Sequence, residues 1–368
     1  MKIIADSHIP FVKEYFSKCG ELELVAGREI DAQHVKDADI LLVRTVTQVD
    51  KNLLAQTNVK FVGSVTAGTD HLDTNWLDEA GIAWQCAAGF NAPPVADYVV
   101  SVIAALQKKH MLRQVKQRAA VIGVGSVGRL VVQRLQWLGF EVICCDPIRA
   151  QNEKDFNSVA LDDIADVDLI SLHVPLTKTG EYPTYHFIDE KFLSRQKPGC
   201  VLLNASRGSV VDFESLAQHG AHLRWCFDVW EHEPKVEKYF LENALIATPH
   251  IAGYSAQSKV RGVDMIYRAL CERKLIEPSS APNVYMPRQQ LTFADAKLCW
   301  RDIVLGIFNP ALMTTMMQTR LLDVVDDGSV FDDMRHKFTY RHEFAFTDLA
   351  GVHLTEEDQA VLDKLRKM

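Results

Sequence analysis

The run Ala119-Ala120-Val121-Ile122-Gly123-Val124-Gly125-Ser126-Val127-Gly128 carries apolar residues straight into G-x-G-x-x-G, and residues 129–138 follow with helical spacing. Each glycine in this pattern answers a separate demand. Gly123 permits a tight turn, Gly125 lets the backbone come up against a pyrophosphate, and Gly128 lets the helix pack close to the strand. The helix start, with Ser126 and Val127, offers free N–H groups to phosphate oxygens. Three glycines alone are a weak signal, and their surroundings strengthen it. The next apolar run, residues 142–145, ends in Asp146, about twenty residues past the loop, where an acid receives ribose hydroxyls. The same carboxylate repels a 2′-phosphate by roughly 1 kcal/mol per charge pair at ~4 Å in water, and by more at a sheltered surface. The pattern points to NAD rather than NADP.

Outward from this loop the same rhythm continues. Residues 119–124, 142–145, 169–174, 201–204, 225–229 and 245–247 read as one series of buried strands. An earlier series occupies residues 3–5, 22–25, 40–43, 61–65 and 82–85, with helix-like stretches such as 50–56 and 72–80 between the later members. Alternating strands and helices predict parallel sheets covered by helices on both faces. The two series meet near Pro93-Pro94, and the apolar segments 95–107 and 255–274 read as helices that cross from one domain to the other. From Pro287 onward the rhythm stops. Residues 312–325 and 355–368 read as helices, the last opened by the capping-box pattern Thr355-Glu356-Glu357-Asp358.

Three clusters place chemistry at the ends of strands of the second series. They are Asn204-Ala205-Ser206-Arg207-Gly208, Asp228-Val229-Trp230-Glu231-His232-Glu233-Pro234 and Thr248-Pro249-His250-Ile251-Ala252-Gly253. Singly, Arg207 could be a surface ion-pair member, Glu233 a solvated acid and His250 a packed turn residue. Their shared place at the carboxyl ends of a cofactor-binding sheet, where such sheets take ligands, makes them a candidate site. A guanidinium grips a carboxylate with two parallel hydrogen bonds. A histidine takes a hydroxyl proton near neutral pH, and a carboxylate beside it steadies the imidazolium. With NAD, that set suits oxidation of a 2-hydroxy acid to a 2-oxo acid.

Composition excludes other classes. The 368 residues carry 40 Lys and Arg against 48 Asp and Glu, a net charge of −8, and there is no basic block for nucleic acid. The longest apolar stretch, 99–106, falls far short of the roughly 20 residues of a membrane span. The start, Met1 to His8, meets an acid before any apolar core of a leader peptide, so a cytoplasmic location is expected. Eight scattered cysteines without C-x-x-C read as reduced core thiols. His219 and His222 lack partner ligands, and no metal is expected.

Together these motifs resemble the D-isomer-specific 2-hydroxyacid dehydrogenase family over residues 1–285. The resemblance implies Arg207 as carboxylate binder, His250 as proton acceptor and Glu233 as its partner. A narrower likeness, to a branch acting on a phosphorylated acid of vitamin B6 synthesis, rests on Ile3–Asp6, on Leu42-Val43-Arg44-Thr45-Val46-Thr47, and on Phe61–Asp73. It rests also on Asn91-Ala92, on Asp228–Glu231, on His250–Tyr254 and on the C-terminal extension. Thr45, Phe90 and Pro94 depart from that branch's usual residues. The likeness implies oxidation of 4-phospho-D-erythronate. It assigns substrate contacts to Thr45, Thr66 and Tyr254, and the nicotinamide side to Val174, Ala205, Ser206, Arg207, Asp228 and Gly253. Arg44 is a candidate phosphate ligand equally readable as a surface cation; Arg341, in the basic and aromatic run 331–344, is another, with a solvated face the slightly favoured reading.

The expected fold is α/β with two doubly wound parallel-sheet domains and a C-terminal dimerisation domain. A discontinuous flavodoxin-like substrate domain takes residues 1–92 and 275–286, a Rossmann NAD domain 93–274, and the dimerisation domain 287–368. The apolar stripe Leu312, Met313, Met316, Met317, Leu321 and Val324, in a segment small for a core of its own, points to a homodimer. Competing readings are a 3-phosphoglycerate or other D-2-hydroxyacid dehydrogenase and, from another class, an NAD(H)-sensing scaffold.

Overall fold

The computed structural model describes residues 1–114, 116–278, 284–324, 327–339 and 341–367. Val325 and Met368, the expected ends of two helices, and residues 279–283 of the returning segment lie outside them. The chain divides into two units, Met1–Asn91 with Ser255–Pro287, and Ala92–Tyr254 with Arg288–Met368.

The first unit is built on β1 (Lys2–Asp6), β2 (Glu21–Val25), β3 (Ile40–Val43), β4 (Phe61–Ser64) and β5 (Ala83–Cys86). They form a parallel sheet in the order β2-β1-β3-β4-β5, with Ile3 opposite Ile40 and Ile40 opposite Phe61. Because successive side chains point to opposite faces, Ile3, Leu42 and Phe61 enter one core while Ile4, Leu41 and Val62 enter the other. β3 and β4 are buried at every position, which is why they read as unbroken apolar runs. Asp31, Asp50 and Asp73 cap the short helices by accepting backbone N–H bonds.

The second unit holds β6 (Arg118–Ile122), β7 (Glu141–Cys145), β8 (Leu169–Leu172), β9 (Val201–Asn204), β10 (Arg224–Phe227) and β11 (Ile246–Ala247). Their order is β11-β10-β9-β8-β6-β7, so the chain reverses direction across the sheet at β6. The helix Ala92–Lys108 covers one face with Val99, Ile103 and Leu106 against Ala119, Val121 and Leu203. Phe192, Leu216 and Trp225 help fill the other face with Ile122, Ile170 and Leu202.

The units group some segments differently from the expected domains. The helix Ala256–Glu272, capped by Ser255, belongs to the first unit, where Val263, Ile266 and Leu270 join Ile3 and Phe61 in the core. Residues 288–368 group with the second unit. Met317, Leu321, Phe331 and Met334 lie in the core with Leu202, and Trp300, Val304, Leu362 and Leu365 close over Val100 and Ala104. The helix Pro310–Leu321 therefore splits the expected stripe: Met317 and Leu321 are buried, while Leu312 and Met316 stand 67% and 48% exposed. The segment is not wholly helical either, since β12 (Gln289–Lys297) pairs in parallel with β13 (Thr347–His353). All eight cysteines are free, and burial pushes the Cys200 and Cys226 thiols up to about 12.

Candidate active site

The glycine loop sits at the chain reversal, after β6 and before the helix Ser126–Trp137. Gly123 has φ +84°, and a Cβ there would come within 2.7 Å of the His173 backbone and 2.8 Å of Val174. At Gly128 a Cβ would strike the Gly123 carbonyl, so neither position admits a side chain. Gly125 differs: its Cβ would meet nothing within 4 Å, which leaves room for a pyrophosphate at the helix start. Asp146 follows β7. Its carboxylate accepts from Val124 N at 2.8 Å and from Arg149 N at 3.0 Å, bracing the glycine loop as well as capping the next helix. Those donors leave lone pairs for ribose hydroxyls. Loop, helix start and acid fit a dinucleotide.

β9 ends in Asn204, whose side chain shapes the turn that carries Arg207. Asn204 Oδ1 accepts from Ser206 N (3.0 Å) and Ser206 Oγ (2.8 Å), and its Nδ2 donates to the Arg207 carbonyl at 2.9 Å. Arg207 is half-buried, and one of its guanidinium nitrogens donates to the Ser206 carbonyl at 2.9 Å.

Beyond β11 the backbone turns sharply at His250, where φ is +55°. Few side chains tolerate that region, so the turn needs external support. Asp228, which follows β10 and is 1% exposed, provides it. Its carboxylate accepts from Thr248 Oγ1 (2.6 Å), Ile251 N (2.8 Å) and Ala252 N (2.9 Å), while its carbonyl accepts from His250 N at 2.7 Å. Burial pushes the Asp228 carboxyl up, and these donors and His250 oppose that rise. Tyr98 bonds Thr248 Oγ1 at 2.8 Å behind it. The carboxylate of Asp228, a residue expected on the nicotinamide side, is thus spent on the His250 turn.

Glu233 reaches His250 from the preceding loop, with Oε2 2.7 Å from Nδ1 and Oε1 accepting from Trp230 N at 2.8 Å. A carboxylate only accepts, so Nδ1 carries the proton and Nε2 is the edge left for a substrate. Burial works against the Glu233 charge, but His250 and the Trp230 N–H outweigh it and hold the carboxyl below its usual range. Arg207, Glu233 and His250 thus stand beyond the carboxyl ends of β9, β10 and β11, adjacent strands of one sheet. Gly253 and Tyr254 complete the turn, closed by Tyr254 N donating to Ile251 O at 2.9 Å.

The candidates of the first unit also follow strand ends. Arg44, after β3, donates Nε to Asp6 at 2.7 Å; Thr45 beside it is exposed; Thr66, after β4, bonds Ser64 Oγ at 2.7 Å. The sequence places Asp6 in the motif Ile3–Asp6 but assigns it no role of its own. Arg341 is no surface cation: it is 6% exposed, its Nη2 donates to the carbonyls of Pro94 at 2.5 Å and Ala252 at 2.7 Å, and its Nε and Nη1 are enclosed without partners. A polar cavity of about 330 Å³, lined in part by Arg113, Lys197 and Arg224, opens at the amino ends of β8 to β10, the far edge from His250. Among the described residues no helix is long and apolar enough to cross a membrane, and no cluster of His, Cys, Asp and Glu suits a metal.

Known proteins match this arrangement. The model of the D-isomer specific 2-hydroxyacid dehydrogenase NAD binding domain matches residues 99–252. Erythronate-4-phosphate dehydrogenase of Coxiella burnetii (strain RSA 331 / Henzerling II) is 44% identical, over 99% of this chain and 98% of its own length. That of Pseudoalteromonas translucida is 37% identical, over 95% of each. A solved 3-phosphoglycerate dehydrogenase of Entamoeba histolytica with bound NAD+ superposes with a TM-score of 0.64 at 22% identity, over 77% of this chain and 98% of that one, a likeness of fold. Sequence and fold agree: this chain belongs to the D-isomer-specific 2-hydroxyacid dehydrogenases, which use NAD, and within them to the family of the erythronate-4-phosphate dehydrogenases.

Proposed function

We propose that the chain oxidises 4-phospho-D-erythronate at carbon 2 to (R)-3-hydroxy-2-oxo-4-phosphooxybutanoate, a step toward pyridoxal 5′-phosphate. The observation that carries this reading is the His250–Glu233 pair at the carboxyl edge of a dinucleotide-binding sheet, one strand from Arg207. NAD, when bound through Gly123, Gly125, Ser126, Val127, Gly128 and Asp146, supplies the two-electron acceptor. Arg207 holds the substrate carboxylate. His250 Nε2 takes the carbon-2 hydroxyl proton, and the Glu233 charge stabilises the imidazolium that forms. Asp228 keeps the histidine turn in place so that the ring does not reorganise during the step. Thr45, Thr66, Tyr254 and Arg44 are the proposed substrate contacts, and Val174, Ala205, Ser206, Arg207, Asp228 and Gly253 the proposed nicotinamide neighbours.

The protein works as a cytoplasmic homodimer in this reading, with Leu312 and Met316 meeting the partner copy. Their exposure on a helix otherwise locked into the core supports that surface. Leu312→Asp with Met316→Asp should shift sedimentation to monomer, and an unchanged dimer would remove the surface from consideration.

The activity is tested by following NADH formation on a panel of phosphorylated and plain aldonates, with a 2-oxo acid present as an alternative oxidant. Preference for 4-phospho-D-erythronate supports the proposal. Preference for 3-phosphoglycerate, or NAD binding without turnover of any acid, overturns it in favour of a sister enzyme or a cofactor-sensing scaffold.

A further inference from the structure

The helix Asp327–His336 carries Arg335 in its last turn, and Arg335 Nη2 donates to the Tyr254 hydroxyl at 3.3 Å. Tyr254 belongs to the turn that holds His250, and the ring of Phe338 packs 6.4 Å from its own. Arg335 lies close enough to Glu233 for its charge to help hold that carboxylate ionised. The guanidinium has five donors. Its nearest acid is Asp332 at 3.8 Å, too far for a good hydrogen bond, and Nε is enclosed without a partner. A cation three-quarters withdrawn from water, with donors unspent, is costly unless an anion arrives to use them.

The other cations considered for a phosphate are held differently. Arg341 is almost wholly enclosed, with Nη2 on the carbonyls of Pro94 and Ala252 and its Nε and Nη1 away from water, whereas Arg44 pairs with Asp6 and stays 31% exposed. Arg335 comes from residues 288–368, which group with the second unit and bring it to the histidine turn.

We propose that Arg335 binds the phosphate of the substrate and sets the preference for phosphorylated acids, with Tyr254 orienting its guanidinium. This rests on the substrate reading above. A planar fork of donors suits phosphate oxygens, and a terminal phosphate lies at the opposite end of the carbon chain from the carboxylate assigned to Arg207.

The test compares wild type with Arg335→Ala on 4-phospho-D-erythronate and on D-erythronate, together with calorimetric titration of the phosphorylated acid into NADH-bound enzyme. Losing charge-assisted hydrogen bonds should lower the ratio of the two kcat/KM values roughly 10- to 100-fold, chiefly through KM, with a matching loss of calorimetric affinity. Arg335→Lys should recover part of both, and NADH binding verifies the fold of each variant. An unchanged ratio in variants that bind NADH, or equal losses on both acids, would overturn the assignment. A wild type indifferent to the phosphate would instead overturn the substrate reading itself, and this inference with it.

Discussion

Asp6 and Asp228 occupy equivalent places in two sheets and do different things. Each is a buried carboxylate at the carboxyl end of a parallel strand, Asp6 closing β1 and Asp228 following β10. Asp6 accepts from His8 N at 2.9 Å and from the Arg44 side chain, which is 31% exposed. Asp228 takes two backbone N–H bonds and a buried hydroxyl, all from the turn that carries His250. A long side chain can swing away from its acid, whereas backbone amides cannot. The second sheet therefore fixes its reactive groups before substrate arrives, as preorganised catalysis requires, while the first holds an adjustable cation, Arg44, at the end of β3.

That contrast is broken most easily at its strongest point. Arg207→Ala should cost kcat/KM about 30- to several-thousand-fold, since truncating one side of a desolvated charge pair costs roughly 2–5 kcal/mol. Thr45→Ala should raise KM with little change in kcat, and NADH titration should show cofactor binding nearly intact in both. A kcat loss at Thr45 as deep as that at Arg207 would mean the two edges do not divide the work in this way.

The two aspartates can be compared directly. Asp228→Asn replaces an acceptor of three hydrogen bonds with a group that must point N–H donors at N–H donors. Chemical denaturation should show a loss of about 1–3 kcal/mol, with kcat reduced because the His250 turn loosens. Asp6→Asn should leave kcat alone and move KM, through Arg44. Glu233→Gln sharpens the same point. The imidazolium that forms loses its negative neighbour, so kcat should fall while NADH binding stays intact. An unchanged kcat would separate Glu233 from the reacting histidine.

Cofactor choice gives a smaller effect. Asp146→Ala should relax the preference for NAD over NADP, measured as the ratio of the two kcat/KM values. It should also weaken NAD somewhat, because Val124 N and Arg149 N lose their acceptor. A wild type that used both cofactors equally would contradict the ribose role.

The smallest effect is thermodynamic. Burial pushes the His173 imidazole down to about 3, beside the glycine loop. An unfolded histidine titrates near ~6.5. Between those values the unfolded chain binds a proton that the folded one refuses, so this contribution to stability is whole above ~6.5 and drains away as pH falls toward 3. Buried carboxylates such as Glu233 add to the loss only below ~4.3. Denaturation curves of His173→Gln should lose the slope in the upper part of that range; an identical slope would show that the ring is not excluded from protons.

Much of this was legible before the structure. Strands such as Ile40–Val43 and Val201–Asn204, buried on both faces, have to be apolar runs, and the glycine loop announces itself by spacing. What escaped reading depends on distant partners. Arg341 looks like a surface cation until Pro94 and Ala252 supply carbonyls from elsewhere in the chain. The stripe on Pro310–Leu321 looked like one face because Met317 and Leu312 share a pattern, although only the former meets the core. β12, QQLTFADAK, lacks the continuous apolar run of the central strands and so gave no strand signal. Asp228 showed its position but not its task, which is set by amides twenty-odd residues downstream.

The most direct test of the account is a single-turnover experiment in which NAD-loaded enzyme is mixed with 4-phospho-D-erythronate and the first NADH formed is followed. Wild type should give a rapid burst approaching one NADH per site. His250→Asn, with NADH and substrate binding still measurable, should form NADH more slowly by roughly 10²–10⁴-fold. A burst of equal rate in the two proteins would contradict proton removal by His250, and the account of this site would fall with it.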